Sequence, residues 1–120
     1  MERTTTDLWT YRDAGTIGID LAGGIDITGW SVEATDGGIG KIDEATYDAS
    51  QSYVVVDTGP WIFGKKVMLP AGVIYRVDLD TETVYVDRSK DEIKNAPEFD
   101  ESLYHDDAYR AQLGGYYGGI

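Results

Sequence analysis

The sequence predicts an all-β protein: a small six-stranded barrel with a short helical C-terminal extension. Three observations predict it. Between residues 29 and 87 the chain is a series of short alternating or β-branched runs. Turn-forming clusters of Gly, Asp, Ser and Thr separate those runs at intervals of about 8–12 residues. The strand pattern then stops at Ser89, where Ser89-Lys90-Asp91-Glu92 spells a helix capping box.

The elements follow in order. Trp30-Ser31-Val32-Glu33-Ala34 alternates apolar and polar side chains, as a half-buried strand does. Thr35-Asp36-Gly37-Gly38 is a turn, because Asp and Gly tolerate the positive φ that tight hairpins need. Ile39 to Tyr47 returns as a second strand, and residues 48–52 turn again. Tyr53-Val54-Val55-Val56 has the unbroken β-branched character of a strand covered on both faces. Lys66-Val67-Met68-Leu69-Pro70 is a fourth strand closed by proline. Val73 to Asp78 is a fifth, with Val73, Tyr75 and Val77 on one face. Asp80-Thr81-Glu82-Thr83 turns the chain into a sixth strand, Val84-Tyr85-Val86-Asp87. A helical turn follows the capping box through Ile93 and Lys94 and ends before Pro97. Residues 100–113 predict another short helix with Leu103, Tyr109 and Leu113 as its apolar positions.

The organisation is therefore an irregular extension (1–26), the barrel (27–89), a helical extension (90–113) and a flexible Tyr/Gly tail (114–120). In the first segment, Thr5, Thr6 and Asp7 are placed to cap a short helix through Leu8, Trp9 and Tyr11. Trp9, Ile17 and Ile19 are expected to pack onto the barrel.

With 22 acidic and 10 basic residues the net charge is −12. Nucleic acid and anionic membranes are disfavoured as direct ligands, since both are gripped by Lys and Arg. Cysteine is absent, which excludes disulfides, thiolate zinc sites and cysteine nucleophiles. No apolar run reaches the ~18 residues of a spanning helix. Met1-Glu2-Arg3-Thr4-Thr5-Thr6-Asp7 lacks the features of a signal peptide. A cytoplasmic protein is expected.

The stretch Val54–Pro70 holds two fragments that suggest chemistry. Asp57-Thr58-Gly59 after an apolar run resembles the loop of a dimeric aspartic protease, whose paired carboxylates share one proton. Pro60 and Trp61 follow where such loops continue with a small residue. Gly59 to Lys65 is close to a phosphate-binding loop. Lys66 stands where Ser or Thr would hold magnesium, and a strand follows where a helix N-terminus is needed. Asp78-Leu79-Asp80-Thr81-Glu82 begins like a calcium loop, but Thr83 occupies the required glycine position and Ser89 the closing glutamate. His105-Asp106-Asp107 contains the single histidine, too few imidazoles for a metal site. No catalytic, cofactor-binding or metal-ligating residues are assigned. What remains is apolar and aromatic: Pro60, Trp61, Ile62 and Phe63 in a loop, and Tyr104, Tyr109, Tyr116 and Tyr117 near the C-terminus. These eight are the expected protein-contact residues.

The order of motifs resembles a PRC-barrel domain over about residues 27–100. Ile39-Gly40-Lys41-Ile42, the strand end Val55-Val56-Asp57-Thr58-Gly59, and Lys66-Val67-Met68-Leu69-Pro70 carry the resemblance, with Lys90 to Pro97 downstream. The resemblance implies a six-stranded adaptor barrel without shared catalytic residues. Such barrels form the cytoplasmic part of the photosynthetic reaction-centre H subunit and one domain of a ribosome maturation factor. Neither the membrane helix of the first nor the RNA-processing domain of the second is visible in residues 1–120, so neither role transfers. The expectation is a non-enzymatic protein-interaction module without cofactor, with a homodimer as one form of that role. The alternatives are a carboxylate-dependent hydrolase built on Asp57 and a structural dimer that exchanges its terminal arms.

Overall fold

The structure, a computed structural model, describes residues 8–9, 11, 26–46, 52–59, 66–97 and 106–118. Six strands carry the fold: β1 (Ser31–Ala34), β2 (Gly37–Ala45), β3 (Tyr53–Asp57), β4 (Lys66–Pro70), β5 (Ile74–Asp78) and β6 (Thr83–Val86). Two helices follow, α1 (Lys90–Lys94) and α2 (Asp107–Tyr117). The strands form one sheet in the order β4-β3-β2-β1-β6-β5. All neighbours are antiparallel except β1 and β6, which run parallel.

The predicted six-strand, barrel-like architecture is present, but the sheet is not closed into a continuous ladder. Among the described residues no ladder joins β4 to β5. Pro70 lacks an N–H to continue pairing. The chain instead passes through a buried 3-10 turn, Ala71–Val73, directly into β5. Three register shifts curl the sheet: opposite Val32/Glu33 of β1, at Ile42/Glu44 of β2, and at Ile74/Arg76 of β5. Each bulge bends its strand and increases the local twist.

The core is mostly aliphatic, with Tyr11, Tyr53, Tyr109 and Tyr117 buried in it as well. Val54, Val55 and Val56 are all fully buried, so β3 is covered on both faces as its β-branched run predicts. Ile27, Val32, Ile39, Ile42, Leu69, Val84 and Val86 are among the other buried side chains. Leu8 and Trp9 are half-buried against this core, while Ile17 and Ile19 lie outside the described residues. The backbone carbonyl of Trp9 accepts from Ser52 N (2.7 Å), and the Tyr11 hydroxyl donates to Thr46 O (2.7 Å).

The capping box forms as read: Ser89 Oγ accepts from Glu92 N (3.1 Å) and Glu92 Oε1 from Ser89 N (2.9 Å). Asp36, in the β1–β2 turn, accepts from Lys90 N at 2.8 Å and ties that turn to α1. Two expectations are corrected. Val73 belongs to the 3-10 turn, and Tyr75 does not share an inward face with Val77, because the β5 bulge reverses the alternation there. The C-terminal helix also runs past residue 113 to Tyr117, through the segment read as a flexible tail. Two glycines in this helix cost about 1 kcal/mol each relative to Ala. Docking offsets that cost: Gly114 lies against the Trp9 indole, Tyr117 is buried, and Arg88 Nη2 donates to the Tyr117 carbonyl at 2.7 Å. A cation at a helix C-terminus also complements its dipole.

Candidate interaction surface

Asp57 and Asp78, the carboxylates of the suggestive motifs, serve the backbone. Asp57 Oδ1 accepts from Gly59 N at 3.0 Å, and Gly59 takes φ +56°. Asp78 Oδ1 accepts from Asp80 N (2.9 Å) and Thr81 N (3.3 Å). Both are Asx turns, in which the side chain replaces a backbone acceptor. Asp26 makes the same bond to Thr28 N at 3.0 Å, which holds its carboxyl below the usual carboxylate range.

The expected contact residues divide three ways. Pro60, Trp61, Ile62, Phe63 and Tyr104 lie outside the described residues. Tyr109 and Tyr117 lie inside the protein, at 5% and 2% exposure, and this corrects their expected place on a surface. They fall four-residue steps apart from Leu113 on one face of α2, and that face is turned inward. The Tyr109 hydroxyl donates to Pro97 O at 3.1 Å. The Tyr117 hydroxyl is buried with no hydrogen-bond partner among the described residues. Burial pushes the ionisation of both phenols above its ordinary range. Tyr116 alone of the three stays half-exposed, and its hydroxyl donates to Glu92 O at 2.6 Å.

The exposed aromatic cluster lies elsewhere, on the outer face of β5 and β6. In a regular strand one of Tyr75 and Arg76 would point inward. Here Ile74 faces Val86 and Arg76 faces Tyr85, so Tyr75 is the extra residue of the bulge. Tyr75 and Arg76 both emerge at the surface beside Tyr85. The Arg76 guanidinium carbon lies 5.0 Å from the Tyr85 ring centre, within cation–π range. The Tyr75 and Tyr85 ring centres are 6.5 Å apart, tilted by 52°. Leu79, in the β5–β6 turn, is a separate exposed apolar side chain at 54%, against 37% for Tyr75. Glu33 faces Tyr85 across the β1–β6 ladder and adds a carboxylate at its border.

Sequence reasoning missed Tyr75, Arg76 and Leu79. Alternation at Val84-Tyr85-Val86 does place Tyr85 outward, so that one residue had a signal. The bulge that turns Tyr75 outward had none.

The fold defines a class, a curled six-stranded sheet of barrel type with a docked helix. No protein-family description matches the chain. No curated protein matches it either. Among solved structures, it is similar to a candidate 16S ribosomal RNA processing protein, RimM, of Pseudomonas aeruginosa, at 22% identity and a TM-score of 0.46. That match covers 54% of this chain and 42% of the other, so it spans under half the neighbour's length.

Proposed function

We propose that this chain is a non-catalytic protein-interaction module that presents the outer face of β5 and β6 to a protein partner. The observation that carries the reading is the bulge-built group of Tyr75, Arg76 and Tyr85. Aromatic and guanidinium groups are enriched at interface centres: tyrosine brings large contact area at low conformational cost, and arginine brings several donors and a planar cation. The turn roles of Asp57 and Asp78 support the same reading, because each carboxylate motif has a structural use in the fold. So does the motif order that resembles PRC-barrel adaptors. We place the protein in the cytoplasm. No helix among the described residues is long and apolar enough to cross a membrane.

The test compares the wild-type chain with a Tyr75→Ser/Tyr85→Ser double variant as baits in a native extract, both first shown to be folded by circular dichroism. Proteins held by the wild type are expected to be lost from the variant. If both baits retain the same proteins, this face is not the contact.

A further inference from the structure

The face just described ends at an open strand. β5 is terminal in the sheet, and among the described residues no strand pairs with its outer edge. An edge of this kind offers unpaired backbone groups to another chain, and charged side chains usually discourage such pairing. On β5 the charges do the opposite. The segment reads Tyr75-Arg76-Val77-Asp78-Leu79, with Arg76 and Asp78 of opposite sign two positions apart and Val77 buried between them.

We propose that two copies of this chain associate through β5, strand against strand, antiparallel about a two-fold axis centred on Val77. In that register Arg76 stands opposite the partner's Asp78, and Asp78 opposite the partner's Arg76. Residues opposite one another in an antiparallel pair share a face, so the charges meet. Tyr75, in the bulge, and the partner's Leu79, in the turn just past β5, flank these ion pairs, so exposed apolar side chains border the contact at both ends. A two-fold contact requires a self-complementary patch, and this five-residue segment is one.

The local geometry leaves Asp78 suited to this use. Its Oδ1 accepts from the turn, whereas its Oδ2 lies 3.9 Å from Arg76 Nη2 in an exposed pair. An exposed pair at that distance contributes little by itself. Pairing brings each carboxylate a second guanidinium and keeps the turn intact. The inference rests on the interaction-module reading and narrows its partner to a second copy.

Analytical ultracentrifugation of the full chain, from micromolar to near-millimolar concentration, tests it. The wild type is expected to reach twice the 13.2 kDa chain mass. Arg76→Asp and Asp78→Arg each set like charges opposite one another, so either variant should remain at the single-chain mass. An equimolar mixture of the two single variants should regain the double mass, because every cross pair is then of opposite sign. The cis double variant R76D/D78R should also regain it. Arg76→Asp leaves the Asx turn untouched, so its outcome stands even if Asp78→Arg fails to fold. The proposal is overturned by a wild type that stays single at every concentration. A double mass retained by Arg76→Asp, or a folded mixture that does not pair, overturns it equally. Partner capture that still depends on Tyr75 and Tyr85 would then leave the interaction-module reading standing.

Discussion

Gly40 sits where β2 leans against the end of β3, with φ +147°. A β-carbon there would lie 2.1 Å from the Asp57 carbonyl oxygen and 2.9 Å from Thr58 Cα, both main-chain atoms that cannot swing aside. Gly40→Ala is therefore expected to cost about 3 kcal/mol or more in urea-unfolding free energy, with clash and backbone strain acting together. Gly59 is the useful contrast. It also has positive φ, at +56°, but among the described residues nothing lies within 4 Å of its missing β-carbon. Gly59→Ala should cost only the left-handed backbone penalty, about 1 kcal/mol. If the two substitutions cost the same, close approach at Gly40 is not what requires glycine. The distinction was not readable from residue type, because a Gly in a turn and a Gly under a neighbouring strand look alike in sequence.

The helix α2 shows how an element can form against its own composition. Its N-cap was available in the sequence: Asp106 Oδ1 accepts from Ala108 N (2.8 Å) and Tyr109 N (3.1 Å). Its C-terminal half, Gly114-Gly115-Tyr116-Tyr117, is held by contacts with distant residues. The two glycines should respond differently to alanine. Gly115 is exposed with no described atom within 4 Å of a β-carbon there, so Gly115→Ala should stabilise by about 0.5–1 kcal/mol through helix propensity. At Gly114 a β-carbon would lie 3.0 Å from Trp9 Nε1, and the indole must shift to admit it. Gly114→Ala should lose that gain or turn it into a net destabilisation. Thermal melts of the two variants read this directly, and equal rises in Tm would mean that Trp9 does not restrain the helix.

Across the whole molecule, burial of two phenols sets the alkaline limit of stability. Tyr109 and Tyr117 ionise near pH 10 when unfolded, and burial raises both in the folded state. Below pH 10 neither form has lost its protons and folding is unaffected. Above it the unfolded chain sheds protons that the folded chain keeps, so stability falls as pH rises. The slope is about 1.4 kcal/mol per pH unit for each buried tyrosine. Urea-unfolding free energies between pH 9 and 11.5 should therefore fall steeply, and Tyr117→Phe should remove about half of that slope. The same variant deletes a buried hydroxyl that lacks a partner, so it should also gain about 1 kcal/mol at neutral pH. An unchanged alkaline slope in Tyr117→Phe would place its phenol in contact with solvent.

Much of the fold was legible because its signals are local. Val54-Val55-Val56, the Asp-Gly turns and the Ser89–Glu92 box each act within a few residues, and each forms as the sequence implies. Residue pattern alone specified six strands, their order along the chain, and the turns at Asp57 and Asp78. Long-range packing set the rest: the bulge that turns Tyr75 outward, the helical state of Gly114–Tyr117, and the inward position of Tyr109 and Tyr117. Those features depend on which distant segment lies alongside. Strand pairing sets a register shift, and the indole, guanidinium and carbonyl groups that hold α2 come from residues 9, 88, 92 and 97. Propensity and periodicity carry no record of such neighbours, because they sum over adjacent residues only.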